Sequence, residues 1–224
     1  MKLSKILSVA FALVFISCNT QNSTTLPFYG PKKLLASGDT AYHQIGKFSL
    51  INQDQVSIND NILQSKISVV NFFFATCQSI CPIMSKHLMH LQDSCLKFNS
   101  VSHAYPFQFI SITVNPEHDN PDVLKNYAKS YNAKSGFWTF LTGSKTEIYH
   151  LAKHDFLVNA LENNSTAENT AYTLSTEEFI HSELLMLIDP KGHIRGLYNG
   201  TDESSVIELW DALKRLSKEF EKPH

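Results

Sequence analysis

Two eight-residue runs constrain the fold of this chain more than anything else in it. "ISVVNFFF" (67–74) and "FQFISITV" (107–114) are rich in β-branched and aromatic residues and nearly continuous in apolar character. Runs this short and this apolar read as strands buried on both faces. The segment between them, "PIMSKHLMHLQDSCLKF", carries Ile83, Met84, Leu88, Leu91, Cys95 and Phe98 at helical spacing. Pro82 suits a first helical turn, where its missing N–H costs nothing. A buried strand, a helix and a second buried strand imply a parallel pair joined by a crossover.

The remaining segments extend that pattern. "GKFSLINQDQVSIND" alternates around a polar centre and reads as an N-terminal β-hairpin. After the second buried strand, "NPEHDNPD" is a turn in which Asp119 or Asn120 caps a helix with Pro121 at its first position. "GFWTFLTG" is a short strand, and Ser144 caps the helix "KTEIYHLAKHD". Residues 159–176 are rich in Asn, Thr, Ser and Glu without a sustained period and read as a mobile loop. "HSELLMLIDPKGHIRGLYNG" is two strands around an Asp-Pro-Lys-Gly turn, and "DESSVIELWDALKRLSKEF" is a closing amphipathic helix. No internal repeat is visible. The order predicts an α/β sandwich on a mixed sheet, the thioredoxin-like arrangement, over residues 42–224.

Residues 1–17 read as a signal peptide. Two lysines precede the apolar run "ILSVAFALVFIS" of 12 residues. That run makes a helix of roughly 18 Å, against a hydrocarbon core of about 30 Å, so export is a better reading than a membrane span. "FISC" resembles a bacterial lipobox, with Phe15 where Leu is usual, and makes Cys18 a lipidation site. The plainer alternative is a general export signal with an incidental cysteine. With lipidation, residues 18–41 form a lipid-anchored tether, the polar stretch Asn19 to Thr25 supplies its flexibility, and the protein sits on the outer side of a membrane in a bacterial cell envelope.

Composition narrows the function. The chain has 224 residues, 43% of them apolar and 18% charged, with a formal net charge of −2. That gives no basic surface for nucleic acid, and too much apolar content for disorder. Four cysteines are present: Cys18, Cys77, Cys81 and Cys95. If Cys18 carries lipid, an odd number remains, and at least one thiol is unpaired unless a metal or partner takes it.

Cys77 falls in the loop after the first buried strand and Cys81 at the start of the following helix. Reactive centres favour the carboxyl end of a parallel strand. The free N–H groups of the helix N-terminus favour thiolate, so both thiols are expected to titrate below the free value of about 8.5. A structural disulfide, a dithiol redox couple and a soft-metal clamp are all open to such a pair. CxxxC spacing does not decide among them. Among ten histidines, His87 and His90 belong to the helix after the pair. His43, His103, His118, His150, His154, His193 and His224 lie in polar or terminal contexts. His181 stands apart, closing the loop and opening an apolar strand, where its plain role is to cap that strand.

"VVNFFFATCQSICPIMSKHLMHLQ", "ISITVNPEHDNPDVLKNYAKSYN", "WTFLTG" and "IHSELLMLIDPKGHIRGLYNG" follow the order and spacing of the SCO/SenC family, which this chain resembles from about Ile45 to its C-terminus. The resemblance implies a membrane-tethered, thioredoxin-like copper chaperone rather than a turnover enzyme. It implies copper ligands at Cys77, Cys81 and His181, and a client in the binuclear copper site of cytochrome c oxidase subunit II. Two thiolates and an imidazole suit Cu(I), whereas Cu(II) would want a fourth oxygen or nitrogen ligand. The alternative function is a copper-independent thiol–disulfide oxidoreductase acting on exported proteins through the same dithiol. A peroxiredoxin-like peroxidase lacks support, because no "TxxC" with a partnering Arg surrounds Cys77. The chain departs from the family pattern at Asn115, where Asp is common, and at Ile180, where Asp often precedes the histidine. Cys95 is additional. It lies about 21 Å along the helix from Cys81, beyond reach of the metal, and reads as a buried small apolar residue.

Overall fold

The computed structural model describes residues 25–64, 66–101, 106–158 and 182–221. Every residue of β5 (Ile67–Phe73) and β6 (Phe107–Thr113) is buried, as their composition predicts. They pair in parallel, Val69 beside Phe109 and Phe73 beside Thr113, with α1 (Ile80–Val101) as the crossover. β7 (Trp138–Thr142) joins β6 in parallel after α2 (Pro121–Ser130).

Antiparallel hairpins flank this parallel centre on both sides. β3 (Ser49–Asn52) and β4 (Ser57–Asn59) are the expected N-terminal hairpin, added to the β7 edge and followed by a 3₁₀ turn at Asp60–Leu63. β8 (Leu184–Ile188) and β9 (Ile194–Asn199) form the other pair, with β8 antiparallel to β5. The seven-stranded order is β4-β3-β7-β6-β5-β8-β9. The turn between β8 and β9 follows from Asp189, whose Oδ1 accepts the Lys191 and His193 N–H groups, and from Gly192 at φ +82°.

Alternation along the strands sends side chains to two cores. Val69, Phe73, Phe109, Trp138 and Leu187 pack with Met84, Leu88, Leu91 and Cys95 of α1, Leu124 of α2, and Leu209, Leu213 and Leu216 of α4 (Glu203–Glu219). Val70, Phe72, Ile110, Ile112 and Met186 pack on the opposite face against Ile148 of α3 (Lys145–His150), the π-turn Leu151–Asp155, and Phe48 and Leu50. The result is the α/β, mixed-sheet, thioredoxin-like architecture that the sequence predicts. The caps match as well. Asn120 accepts from Asp122 and Val123 N–H, Ser144 from Glu147 N–H, and Asp202 from Ser205 N–H.

The packed part of the chain begins ahead of residue 42, since Leu26 is already only 5% exposed. Its N–H donates to Glu219 Oε1 at 2.5 Å and its carbonyl accepts from Arg195 Nη2 at 2.7 Å. Tyr29 N–H then donates to Ile194 O at 2.9 Å. Residues 32–42 form a separate two-stranded hairpin, β1 (Lys32–Leu34) and β2 (Thr40–Tyr42), with no counterpart in the sequence reading. Cys18, His181 and residues 159–176, read from the sequence as a loop, lie outside the described residues, as do residues 1–24, which carry the expected signal peptide and the first part of the expected tether. No helix among the described residues is long and apolar enough to cross a membrane.

Candidate metal centre

β5 ends at Phe73, and the chain turns at once, Cys77 N–H donating to Phe74 O at 3.2 Å. α1 begins three residues later, so Cys77 sits on the connecting loop and Cys81 in the first helical turn. Both side chains are buried, Cys77 at 9% exposure and Cys81 at 3%, while Thr76, Gln78 and Ser79 around them are exposed. The pair therefore lies just beneath the surface at the carboxyl end of the parallel strands. Both thiols are free.

The two thiols differ. Burial pushes Cys77 upward, but the N–H groups of Cys81 and Ser79 and hydrogen bonds from both side chains outweigh it, and the thiol titrates below its ordinary value. Ser79 Oγ lies 3.6 Å from its sulfur. Cys81 goes the other way. Burial dominates, the neighbouring Cys77 adds to it, and its thiol is pushed up to about 12. The expectation that the helix N-terminus would lower both values holds for Cys77 and fails for Cys81. The sequence locates the helix start but not the packing over it.

This asymmetry predicts an order of reaction. Cys77 ionises more readily than an ordinary cysteine thiol, while Cys81, pushed up to about 12, stays a thiol through the neutral range. With limiting iodoacetamide near neutral pH, peptide mass spectrometry should find Cys77 alkylated first, its rate levelling off at lower pH than that of a free cysteine. Cys95, fully buried and raised by that burial, should resist. Equal labelling of Cys77 and Cys81 would contradict the asymmetry.

A buried carboxylate holds the loop that carries Cys77. Asp119 has no exposure, and its Oδ2 accepts from Ala75 N–H at 2.9 Å and from the Thr113 hydroxyl at 2.5 Å. Its Oδ1 lies 2.8 Å from His118 Nδ1, and its own N–H donates to Asn115 O at 2.9 Å. One side chain thus ties the loop after β5 to the loop after β6. In the sequence alone Asp119 reads as an alternative cap for α2. The signal was in the Asp-Asn doublet, since one cap position needs only one of them, and Asn120 takes it.

On the other flank, Gly200 closes against Met84 in the first turns of α1. A Cβ there would meet Leu185 Cγ at 2.9 Å and Met84 Cε at 3.0 Å. Gly200 O also lies 2.8 Å from His87 Nδ1. His87, His118 and His193 therefore have local partners, the last at Asp189. Cys95 is fully buried in the core, as its helical position suggests. Among the described residues, no group of three His, Cys, Asp or Glu side chains could hold a metal ion. Cys77 and Cys81 are the two thiols at this strand end.

The SCO1/SenC family model matches residues 36–218. The chain is 28% identical over 180 residues to the SCO1 protein homolog of Bacillus subtilis, spanning 80% of this chain and 86% of that one. Among solved structures it is similar to a SCO1/SenC family lipoprotein from Bacillus anthracis, with TM-score 0.62 and 26% identity over 78% of this chain and 95% of that one. It is also similar to BsSco, described through a disulfide switch and as a member of the Sco family of cytochrome c oxidase assembly proteins, with TM-score 0.61 and 26% identity over 78% and 94% of the two chains.

Proposed function

The chain belongs to the SCO1/SenC family, and on that premise we propose that it is an exported, membrane-tethered copper chaperone for the binuclear copper site of cytochrome c oxidase subunit II. The observation that carries this reading is the Cys77–Cys81 pair, two free thiols on a strand-end loop and a helix first turn, buried beneath exposed Thr76, Gln78 and Ser79. Two thiolates prefer a soft ion, and Cu(I) accepts low coordination with one further ligand. His181 is that ligand in this proposal. Its neighbour Ser182 is buried ahead of β8, and β8 runs antiparallel to β5, so β8 begins at the sheet end where β5 delivers the cysteines.

Metal capture displaces the thiol protons, so uptake is proton-coupled. Cys77 gives up its proton readily, whereas Cys81 gives up its own only against copper. Release follows in reverse, since reprotonating the buried Cys81 thiol weakens the clamp during handover. The polar segment before Leu26 acts as a tether and Cys18 as the lipid-bearing residue. In a strain lacking this chain, the wild type should restore oxidase activity, while Cys77→Ser and His181→Ala should not, with growth copper held low. Full restoration by both variants would overturn the chaperone reading.

A second reading rests on the unequal placement of the thiols. Cys77 on the loop suits the attacking role, and Cys81 beneath it suits the resolving role. The Cys77 thiolate attacks a client disulfide and one client thiolate leaves, giving a mixed disulfide. Cys81 then passes its proton to the client thiolate already released and attacks Cys77 sulfur, releasing the second client thiolate and leaving a Cys77–Cys81 disulfide. Two electrons pass to the client. Retention of this reductase activity by His181→Ala without copper separates the second reading from the first.

A further inference from the structure

The β1–β2 hairpin buries almost nothing of its own. Residues 31–40 are all exposed, and Leu34 and Leu35 are 74% and 42% exposed. A lone two-stranded hairpin is marginal in water, and contiguous exposed apolar side chains are what a contact surface presents. This one is fastened at its base. His43 N–H donates to Pro31 O at 3.1 Å, the Tyr42 ring stacks on Phe28 at 4.0 Å, and Ile45 N–H donates to Gly192 O at 2.9 Å. Pairing places Lys32 opposite Tyr42 and Leu34 opposite Thr40, so Lys32, Leu34 and Tyr42 share one face. Lys33 takes the other face, and Leu35 opens the turn, whose carboxylate Asp39 accepts from the Ser37 hydroxyl at 2.8 Å. A lysine on each face beside two exposed leucines is a side-chain mixture that suits a bilayer interface.

The position of the hairpin supplies the second argument. β8 is antiparallel to β5, with Ile188 beside Ser68. The β8–β9 turn therefore lies at the end of the sheet opposite Cys77 and Cys81, about 20 Å away along a strand of seven residues. Leu26 to Tyr29 dock at that far end, on Arg195 and Ile194. The 24 residues preceding Thr25, which include the apolar run and Cys18, thus join the domain beside the hairpin and away from the thiols.

We propose that the β1–β2 hairpin is a membrane-contact arm that lies on an anionic lipid surface. Lys32 and Lys33 meet head-group phosphates, Leu34 and Leu35 enter the interface, and the cysteine end of the domain is held facing away from the bilayer. The proposal rests on the reading of the N-terminal segment as membrane-directed, and the test separates the two.

The full chain, produced with its leader so that any processing is retained, is reconstituted in nanodiscs of phosphatidylcholine alone or with phosphatidylglycerol. Amide hydrogen exchange is then read by mass spectrometry. In the anionic discs, peptides covering residues 32–42 should exchange about tenfold or more slowly than in the neutral discs, with β5 unchanged. Lys32→Gln with Lys33→Gln, which leaves the leucines in place, should erase the difference, and Leu34→Ser with Leu35→Ser should reduce it. If the chain stays on the discs and residues 32–42 exchange as they do without lipid, the arm is overturned and the anchor stands. Equal protection on both lipids overturns the anionic contact. If the chain does not remain on the discs, the anchor reading fails and the arm with it.

Discussion

Arg195→Ala is expected to destabilise the fold by about 3–5 kcal/mol, the usual result of removing one member of a buried charge cluster. Arg195 is 2% exposed, and its Nη1 and Nη2 lie 3.2 Å from Asp189 and 2.7 Å from Glu219. The same guanidinium donates to the carbonyls of Pro27 at 3.0 Å and Leu26 at 2.7 Å, and lies 4.1 Å from the Phe28 ring centre. One side chain therefore joins the β8–β9 turn, the last turn of α4 and the point where the N-terminal segment enters. Its loss leaves Asp189, 1% exposed, with the turn N–H groups and His193 as its partners among the described residues. Thermal unfolding should shift down by roughly 6–20 °C for a domain of this size. Limited proteolysis should newly cut between Leu26 and Pro31. Arg195→Lys should recover only part of the loss, because an ammonium cannot fork between two carboxylates and two carbonyls. A loss under about 1 kcal/mol would contradict the account, since it is what an exposed pair gives.

Asp119→Ala is the second large effect, and it acts on the site itself. The substitution strips the acceptor from Ala75 N–H and from the Thr113 hydroxyl, each a loss of about 1–3 kcal/mol when the group is buried. The consequence that separates positioning from bulk stability lies in the thiols. With the Cys77 loop untied from the loop after β6, Cys81 should lose cover and react faster with iodoacetamide. Cys95, 0% exposed within the core, should stay protected while the domain remains folded. Asp119→Asn keeps one acceptor oxygen and should fall between wild type and Ala. If denaturant unfolding and Cys81 labelling are both unchanged in Asp119→Ala, the carboxylate does not organise this loop.

Much of the architecture was legible because local signals agreed with global ones. The apolar runs that became β5 and β6 are too short and too β-branched for helices. Asn120, Ser144 and the Asp189–Gly192 turn carry their own chemistry, so those element ends needed no tertiary knowledge. What escaped notice depends on distant partners. Leu26 looks like part of a polar tether until Arg195, 169 positions away, takes its carbonyl. β1 and β2 have three residues each and no alternating apolar face. Asp119 was legible as a turn residue but not as a brace, because Ala75 and Thr113 reach it only after β5 and β6 pair. The thiols were found from the strand–loop–helix setting. Their inequality was not, because burial of the first turn of α1 is made by other elements. His181, outside the described residues, enters through the family resemblance.

Copper K-edge X-ray absorption of the reduced full chain loaded with one equivalent of Cu(I) reads the ligand set itself. Two sulfur neighbours and one imidazole nitrogen are expected in the wild type. His181→Ala should lose the imidazole contribution with both sulfurs retained, and Cys77→Ser or Cys81→Ser should lose a sulfur. Cys95 adds no third sulfur. A wild-type spectrum without imidazole, or one that Cys77→Ser and His181→Ala both leave unchanged, would contradict a centre built from Cys77, Cys81 and His181.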